Sequence, residues 1–437
     1  MSRSWCRRLG RLLIVCMLAV HIFFLWSIRG LIPRGYADFT VYYTAAKMLR
    51  EGLGGQLYSA GAQLRVQQEF IAARDLHHVP LPYIHPPFEA LIFLPLTFLP
   101  YTAAYMAWNC INLAMLFWIC VMLRGSLASL YKVPLADCFL ACLAFYPIMA
   151  NFHQGQDAIL LLLVTVLAFC ALGRRADFSA GLWLGMGVFK FQFLIPIALV
   201  LVFWRGKNLL KGFTVTAAAA LLGSIALTGP REALQYPGYA WRVVSTVHLG
   251  GLPYGLMPNL TGLINGWPVL EGVGWPLRIA ASVASMTLLL IIASLKRLAQ
   301  QALFFNLCLA CAVIAAVTVS YNTNSYDLSL LVLAIALVLD HCLRSANPRR
   351  SLRAMFLPAL PLFISPLWLF LWLGWGRTNV MAVSLLWWCY AIWDEMRRIE
   401  TADPTGVASL AAYGSISSQN PQAMIHARTP RVSIDKL

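Results

Sequence analysis

The stretch AGLWLGMGVFKFQFLIPIALVLVFW, residues Ala180–Trp204, indicates the class of fold. It is longer than the roughly 20 apolar residues that a helix needs to cross a membrane. Lys190, Gln192 and Pro196 stand in its middle, and a lysine without a partner is costly in hydrocarbon. The stretch therefore predicts a segment that enters the membrane and returns, with Lys190 beside a lipid phosphate or a paired carboxylate. The alternative is a lysine near the membrane surface.

The composition of the whole chain agrees with a membrane protein. Of its 437 residues, 60% are hydrophobic and 11% are charged, whereas a soluble domain carries about 25% charged residues. The net charge of +16 arises from small clusters between apolar segments, which orient membrane helices and do not form a nucleic-acid-binding face. Most of the 11 cysteines lie inside apolar segments and are predicted to be buried apolar residues, not metal ligands.

Apolar segments along the chain predict an all-α polytopic membrane protein with about 10–12 transmembrane helices. Phe88–Leu99 is about half the length of a span, so it is interpreted, like Ala180–Trp204, as a partial or re-entrant helix. The first apolar run follows MSRSWCRRLGR and predicts a retained signal anchor. The predicted full crossings are Leu12–Ile28, Thr102–Leu123, Leu135–Ala150, Ala158–Leu172, Gly212–Leu227, Ile279–Leu295, Ala302–Val319, Leu328–Leu343, Met355–Leu373 and Val380–Trp393.

The basic clusters predict how the chain is oriented. With the N-terminus inside, the positive-inside rule places most of them in the cytoplasm. Residues 1–399 then form a transmembrane domain, and two long loops, 29–87 and 229–275, lie on the outer face of the cytoplasmic membrane. We expect the functional site on that face. The polar tail, residues 400–437, predicts a disordered cytoplasmic segment.

The first outer loop contains GYADFTVYYTAAKMLREG, residues 35–52. Its aromatic and apolar residues recur at helical spacing, which predicts a helix along the membrane surface that begins near Asp38. Asp38 is then either an N-cap, stabilised by the free N–H groups of the helix, or a general base that deprotonates a hydroxyl group. The residues alone leave both alternatives open.

Two more segments place polar side chains beside apolar ones. One segment is YIHPPFEALIFLPLTFLP, residues 83–100. Its His85 is predicted to bind a phosphate or to orient a carboxylate. The alternative is that the segment is only a re-entrant turn shaped by its prolines. NFHQGQDAILLLL, residues 151–163, carries groups that suit sugar hydroxyls or, alternatively, cap the next helix. These groups are His153, Gln154, Gln156 and Asp157.

Two later segments, residues 254–266 and 320–331, are also polar and predicted to lie outside. They contain Asn259, Tyr326 and Asp327, which either line a site or are ordinary loop residues.

Taken in order, all these segments resemble glycosyltransferase family 87 over about Tyr36 to Leu331. Members of that family are polytopic transferases of the GT-C fold. The resemblance implies a GT-C-like fold with interfacial helices in the first outer loop.

The resemblance also implies a function. The chain would transfer mannose or arabinofuranose from a polyprenyl-phosphate-sugar donor to a glycolipid or glycan acceptor of the cell envelope, with inversion of configuration. No cofactor or metal is expected, because Lys190 can supply the charge that the leaving phosphate needs.

The alternative function is a lipid or solute transporter or flippase that uses Lys190 and Asp327 without glycosyl transfer. The lack of a visible internal repeat disfavours it.

The resemblance assigns roles to individual residues. Asp38 is the implied general base, and His85 and Lys190 are implied to bind the donor phosphate. The residues implied to contact the sugar or the acceptor are Tyr42, Tyr43, His153, Gln154, Gln156, Asn259, Tyr326 and Asp327.

Overall fold

The computed structural model describes residues 3–71, 81–246, 251–267, 274–345 and 347–402. Within these ranges the regular elements are helices, which confirms the all-α polytopic class. The predicted tail lies, from residue 403 onward, outside the described residues. The α-helices are α1 (Arg3–Ile28), α2 (Phe39–Arg50), α3 (Ala60–Gln68), α4 (Ala90–Phe93), α5 (Tyr101–Ser126), α6 (Leu135–Leu143), α7 (Tyr146–Gln154), α8 (Ala158–Gly173), α9 (Asp177–Met186), α10 (Phe191–Arg205), α11 (Lys207–Thr228), α12 (Pro230–Val244), α13 (Leu260–Asn265), α14 (Trp275–Ser294), α15 (Lys296–Ala299), α16 (Phe305–Val319), α17 (Leu331–Arg344), α18 (Pro348–Phe356), α19 (Ser365–Leu369) and α20 (Met381–Ala402).

The number of long apolar helices is smaller than predicted. Six described stretches are long and apolar enough to cross a membrane, or seven if α6 and α7, which meet at 66°, form one broken span. α8 and α16 have only 16 and 15 residues. The predicted crossing Met355–Leu373 is divided into short helices, because Pro358, Pro361 and Pro366 interrupt backbone hydrogen bonding. The six stretches are Gly10–Arg50, Tyr101–Ser126, Asp177–Arg205, Lys207–Thr228, Trp275–Ser294 and Ser325–Arg344.

The stretch Asp177–Arg205 doubles back, as its sequence predicts. A 3-10 turn, Gly187–Lys190, separates α9 from α10. Nη2 of Arg205 lies 2.8 Å from Oδ1 of Asp177, whereas a straight helix of this length would hold its ends about 40 Å apart. Although its length and composition suit a full crossing, the stretch is therefore a helical hairpin, and Lys190 lies near its tip.

The first arm of this hairpin, α9, packs closely along α11. A Cβ atom on Gly181 would lie 2.1 Å from the carbonyl oxygen of Leu209, and one on Gly212 would lie 2.0 Å from the carbonyl oxygen of Phe178. No side chain fits at either position, and small residues of this kind let two membrane helices approach closely. The two glycines therefore set the distance between the hairpin and α11.

Helix α2 lies inside the protein, not along the membrane surface. Phe39, Tyr42 and Ala46 are fully buried, and α2 packs against α3, α4 and the 3-10 helix Leu94–Phe98. The ring of Tyr42 stacks on that of Phe93 at 4.5 Å between centroids. The predicted helix and its start are correct, but its aromatic residues contact protein because the proline-broken segment covers them.

Candidate active site

Asp38 stands at the N-terminal end of α2 but does not cap it. Its Oδ2 atom accepts a hydrogen bond from Nε2 of Gln156 at 2.7 Å, and the hydroxyl of Tyr326 donates to the same carboxyl group. The backbone N–H of Asp38 donates to Oε1 of Gln154 at 3.0 Å. The structure thus removes the N-cap alternative and holds the carboxyl group with neutral donors from distant parts of the chain.

The turn between α7 and α8 brings Gln156 to Asp38. Gly155 ends α7 with a φ of 61°, in the left-handed region that favours glycine. A Cβ atom there would lie 2.8 Å from Cβ of Phe39. Nε1 of Trp108 donates to the carbonyl oxygen of Gln156 at 3.1 Å. The backbone that carries Gln156 is therefore fixed by a glycine turn and by α5.

This turn gives a testable prediction about stability. We expect Gly155→Ala to lower the free energy of unfolding by about 1–3 kcal/mol, because alanine is strained at positive φ and its methyl group would press on α2. Thermal unfolding of the purified protein in detergent measures the change. The control is Gly223→Ala in α11, where a Cβ meets nothing within 4 Å; an equal effect of both substitutions would contradict the prediction.

Lys190 is buried between two carboxylates. Its Nζ atom lies 3.0 Å from Oδ1 of Asp157 and donates to Oδ1 of Asp327 at 2.7 Å. It also donates to Oε1 of Gln156 at 3.3 Å, the oxygen that accepts from the hydroxyl of Tyr42 at 2.6 Å. The sequence left open whether Lys190 faces a lipid phosphate or a carboxylate, and the structure shows two carboxylates paired with its single charge.

His85 orients a buried carboxyl group. Its Nδ1 atom lies 3.1 Å from Oε2 of Glu89, and its Nε2 atom lies 3.5 Å from the hydroxyl oxygen of Tyr42. Burial lowers the pKa of His85 to about 4, so the imidazole is neutral near pH 7. The hydroxyl of Tyr83 also donates to Oε2 of Glu89, at 3.2 Å. Of the two roles left open for His85, the structure shows the contact with a carboxyl group.

A cavity of ≈ 200 Å³ opens beside Asp38. Its wall combines aromatic rings with amide, hydroxyl and carboxyl groups, the mixture that fits a molecule with both C–H faces and hydroxyls. The lining residues that matter here are Phe24, Asp38, His153, Gln154, Tyr326 and Trp372.

Most of the predicted site residues meet at this cluster or its cavity, but two do not. The hydroxyl of Tyr43 donates to the carbonyl oxygen of Leu99 at 2.8 Å. Asn259 accepts from the backbone N–H of Gly262 at 2.7 Å and donates to the carbonyl oxygen of Ser320 at 2.7 Å. The residues brought together are Asp38, Tyr42, His85, His153, Gln154, Gln156, Lys190, Tyr326 and Asp327.

The cluster also holds two carboxyl groups to which the family resemblance assigned no role. Glu89 and Asp157 are both fully buried. Asp157, considered above as a helix cap, makes no capping hydrogen bond to α8. Each acid stands at the edge of an apolar segment, and an acid that is fully buried needs a partner. The position of each acid beside an apolar segment was visible in the sequence, but it does not identify the partner of either acid.

Comparison with known proteins indicates the family of this chain. The model described as Glycosyltransferase family 87 matches residues 83–320, more than half of the chain. The chain is similar to a polyprenol-phosphate-mannose-dependent alpha-(1-2)-phosphatidylinositol mannoside mannosyltransferase of Mycobacterium tuberculosis, with 27% identity over 243 residues. The match covers 50% of this chain and 52% of that relative, and no solved structure matches the chain. By the extent of the family match, this chain belongs to glycosyltransferase family 87.

Proposed function

We propose that the chain is a membrane glycosyltransferase that moves a mannosyl group from a polyprenyl-phosphate donor to a hydroxyl group of a glycolipid. Family membership supports the transferase activity. The relative is named for a polyprenol-phosphate-mannose donor and a phosphatidylinositol mannoside acceptor, which favours mannose over arabinofuranose. The distribution of basic clusters supports a site on the outer face of the cytoplasmic membrane, within the cell envelope.

One observation carries this proposal: Asp38 lies in the wall of a polar and aromatic cavity, with its carboxyl group held by two neutral donors. Gln156 and Tyr326 fix its direction without adding a positive charge beside it. A carboxylate held in this way is suited to accept a proton from a substrate in the cavity. His153, Gln154 and Tyr326 are then placed to contact the sugar or the acceptor.

In the proposed reaction, the acceptor hydroxyl loses its proton to Asp38 as its oxygen attacks the anomeric carbon of the donor sugar. The new carbon–oxygen bond forms on the face opposite the leaving phosphate. The bond between the anomeric carbon and the phosphate oxygen breaks, and its electron pair stays on the phosphate. The configuration at the anomeric carbon is therefore inverted, and the released product is polyprenyl phosphate.

An apolar cavity of ≈ 290 Å³ suits the polyprenyl tail of the donor. Pro86 and Phe88 line it from the segment that carries His85, while Val188 and Phe191 line it from the hairpin. An isoprenoid chain in this cavity would bring its phosphate near His85 and the hairpin tip. This placement agrees with the role that the family resemblance implies for His85 and Lys190.

Incubation of the purified protein with radiolabelled polyprenyl-phosphate mannose and a membrane lipid extract tests the proposal. We expect a labelled glycolipid. When the same protein is reconstituted in proteoliposomes, we expect no transport of intact donor across the bilayer. A matched reaction with polyprenyl-phosphate arabinose tests the choice of sugar. Donor movement without any labelled product would support a transporter and contradict the proposal.

A further inference from the structure

The cluster around Lys190 holds more negative charge than its cations balance. Among the described residues that make its contacts, four carboxyl groups share one buried lysine. A buried carboxylate without a counter-charge is strongly unfavourable. The cluster therefore needs an additional positive charge or protons. The carboxyl groups belong to Asp38, Glu89, Asp157 and Asp327.

The balance of charge also bears on the reaction proposed above. Lys190 was expected to supply positive charge to the donor phosphate, but Asp157 and Asp327 already take up that charge at 3.0 and 2.7 Å. A phosphate that approached this cluster would meet a surplus of negative charge. Transfer would be slow unless another cation stood near the leaving group.

Three side chains of the cluster bring possible ligand atoms close together. One atom each from His85, Glu89 and Asp157 lies within 4.8 Å of the other two. Nδ1 of His85 and Oε2 of Glu89 are 3.1 Å apart, close to the separation of about 3 Å between adjacent ligands of an octahedral ion with bonds of about 2.1 Å. The two acids are fully buried, while the imidazole is 16% exposed. A cation would therefore enter the site from the side of His85.

Two of the carboxyl oxygens find no donor among the residues that the structure describes. Oε1 of Glu89 and Oδ2 of Asp157 are buried and receive no hydrogen bond from the described residues. The two carboxyl groups nevertheless lie within hydrogen-bonding reach of each other. Two ionised acceptors at such a distance repel, so a proton or a cation must lie between them. The third ligand atom, from His85, favours a cation, because a shared proton needs only the two acids.

We propose that His85, Glu89 and Asp157 bind a divalent cation that faces the donor phosphate. One imidazole nitrogen and two carboxylates form a mixed set of ligands, which suits Mn²⁺ because carboxylates favour hard cations and imidazole favours transition metals. The cation balances the buried acids of the cluster and stabilises the negative charge that develops on the leaving phosphate. The second part of this role rests on the proposed function, whereas cation binding does not.

The test measures Mn²⁺ binding to the full-length protein in detergent. The protein is first stripped of metal by exhaustive chelation, Mn²⁺ is then added, and binding is measured by electron paramagnetic resonance. We expect one bound Mn²⁺ per chain, with a nitrogen coupling from the imidazole. Glu89→Gln and His85→Gln should weaken binding at least 10-fold, and His85→Gln should also remove the nitrogen coupling. The matched control is Asp38→Asn, which alters a carboxyl group of the same cluster that is no ligand; it should bind Mn²⁺ like the unaltered chain.

Several outcomes would overturn the proposal. One is unaltered protein that binds no Mn²⁺, and another is equal Mn²⁺ affinity in Glu89→Gln when thermal unfolding shows that this variant is folded. A third is an infrared band of a protonated carboxyl group that persists in excess Mn²⁺ and disappears in Glu89→Gln, because a shared proton would then replace the cation. These measurements need no substrate and do not depend on stable folding of every variant.

Activity separates this proposal from the proposed function. We expect chelation to lower mannosyl transfer at least 10-fold and added Mn²⁺ to restore it. Transfer that is insensitive to chelation, with no bound Mn²⁺, contradicts the cation and leaves the transferase proposal standing. Bound Mn²⁺ without any transfer, under every donor condition, supports the cation site and contradicts the transferase proposal.

Discussion

Asp38→Asn is expected to lower mannosyl transfer at least about 100-fold, within the range of 10²–10⁴ that general bases contribute. Asparagine has nearly the same shape as aspartate, and its amide oxygen can accept the hydrogen bonds that Gln156 and Tyr326 donate. It cannot take the proton of an acceptor hydroxyl. The initial rate of labelled product formation, measured at saturating donor, gives the size of the effect.

The control for Asp38→Asn is Glu51→Gln, at the other end of α2. Glu51 is partly exposed and pairs with Lys47, and a surface ion pair of this kind contributes little to stability. We expect this variant to transfer sugar at the rate of the unaltered protein. Turnover by folded Asp38→Asn above about one tenth of the normal rate would rule out Asp38 as the base.

Lys190→Met is expected to lower the free energy of unfolding by about 3–5 kcal/mol, the usual effect of removing one partner from a buried ion pair. Asp157 and Asp327 would remain buried without the ammonium group of Lys190, which lies 3.0 and 2.7 Å from their oxygens. Methionine fills a volume similar to that of the lysine stem, so lost packing contributes little. Thermal and chemical unfolding in detergent measures the change.

Two further variants identify the cause of that instability. Lys132→Met alters an exposed lysine and should change stability by less than about 0.5 kcal/mol. Combining Lys190→Met with Asp157→Asn and Asp327→Asn removes the unpaired charges and should recover much of the lost stability. A Lys190→Met variant as stable as the unaltered protein would show that the two acids are neutral in the folded chain.

Much of this architecture could be predicted from the sequence, because the signals are local. Polar residues in the middle of the long apolar stretch Ala180–Trp204 predicted a segment that enters the membrane and returns, and the contact between Asp177 and Arg205 agrees. The spacing of aromatic residues predicted a helix beginning near Asp38. Prolines beside Phe88 predicted a short, broken helix, which the structure also has.

The pairing inside the site could not be predicted, because it depends on contacts between residues that are distant in the chain. Lys190 pairs with Asp157 and Asp327, which are 33 residues before it and 137 residues after it. The choice between two adjacent tyrosines also depends on packing. Tyr42 reaches Gln156 in the cluster, whereas Tyr43 turns to a backbone carbonyl elsewhere.

The close packing of α9 on α11 affects how natural sequence variation in this chain should be interpreted. Gly181 and Gly212 belong to no cavity near Asp38, yet any side chain at either position would push α9 away from α11. The displacement would be passed along the hairpin to Lys190, which must stay within about 3 Å of its acids to remain paired. A change at these glycines would therefore resemble an active-site mutation in an activity screen, although it would alter no group that touches a substrate.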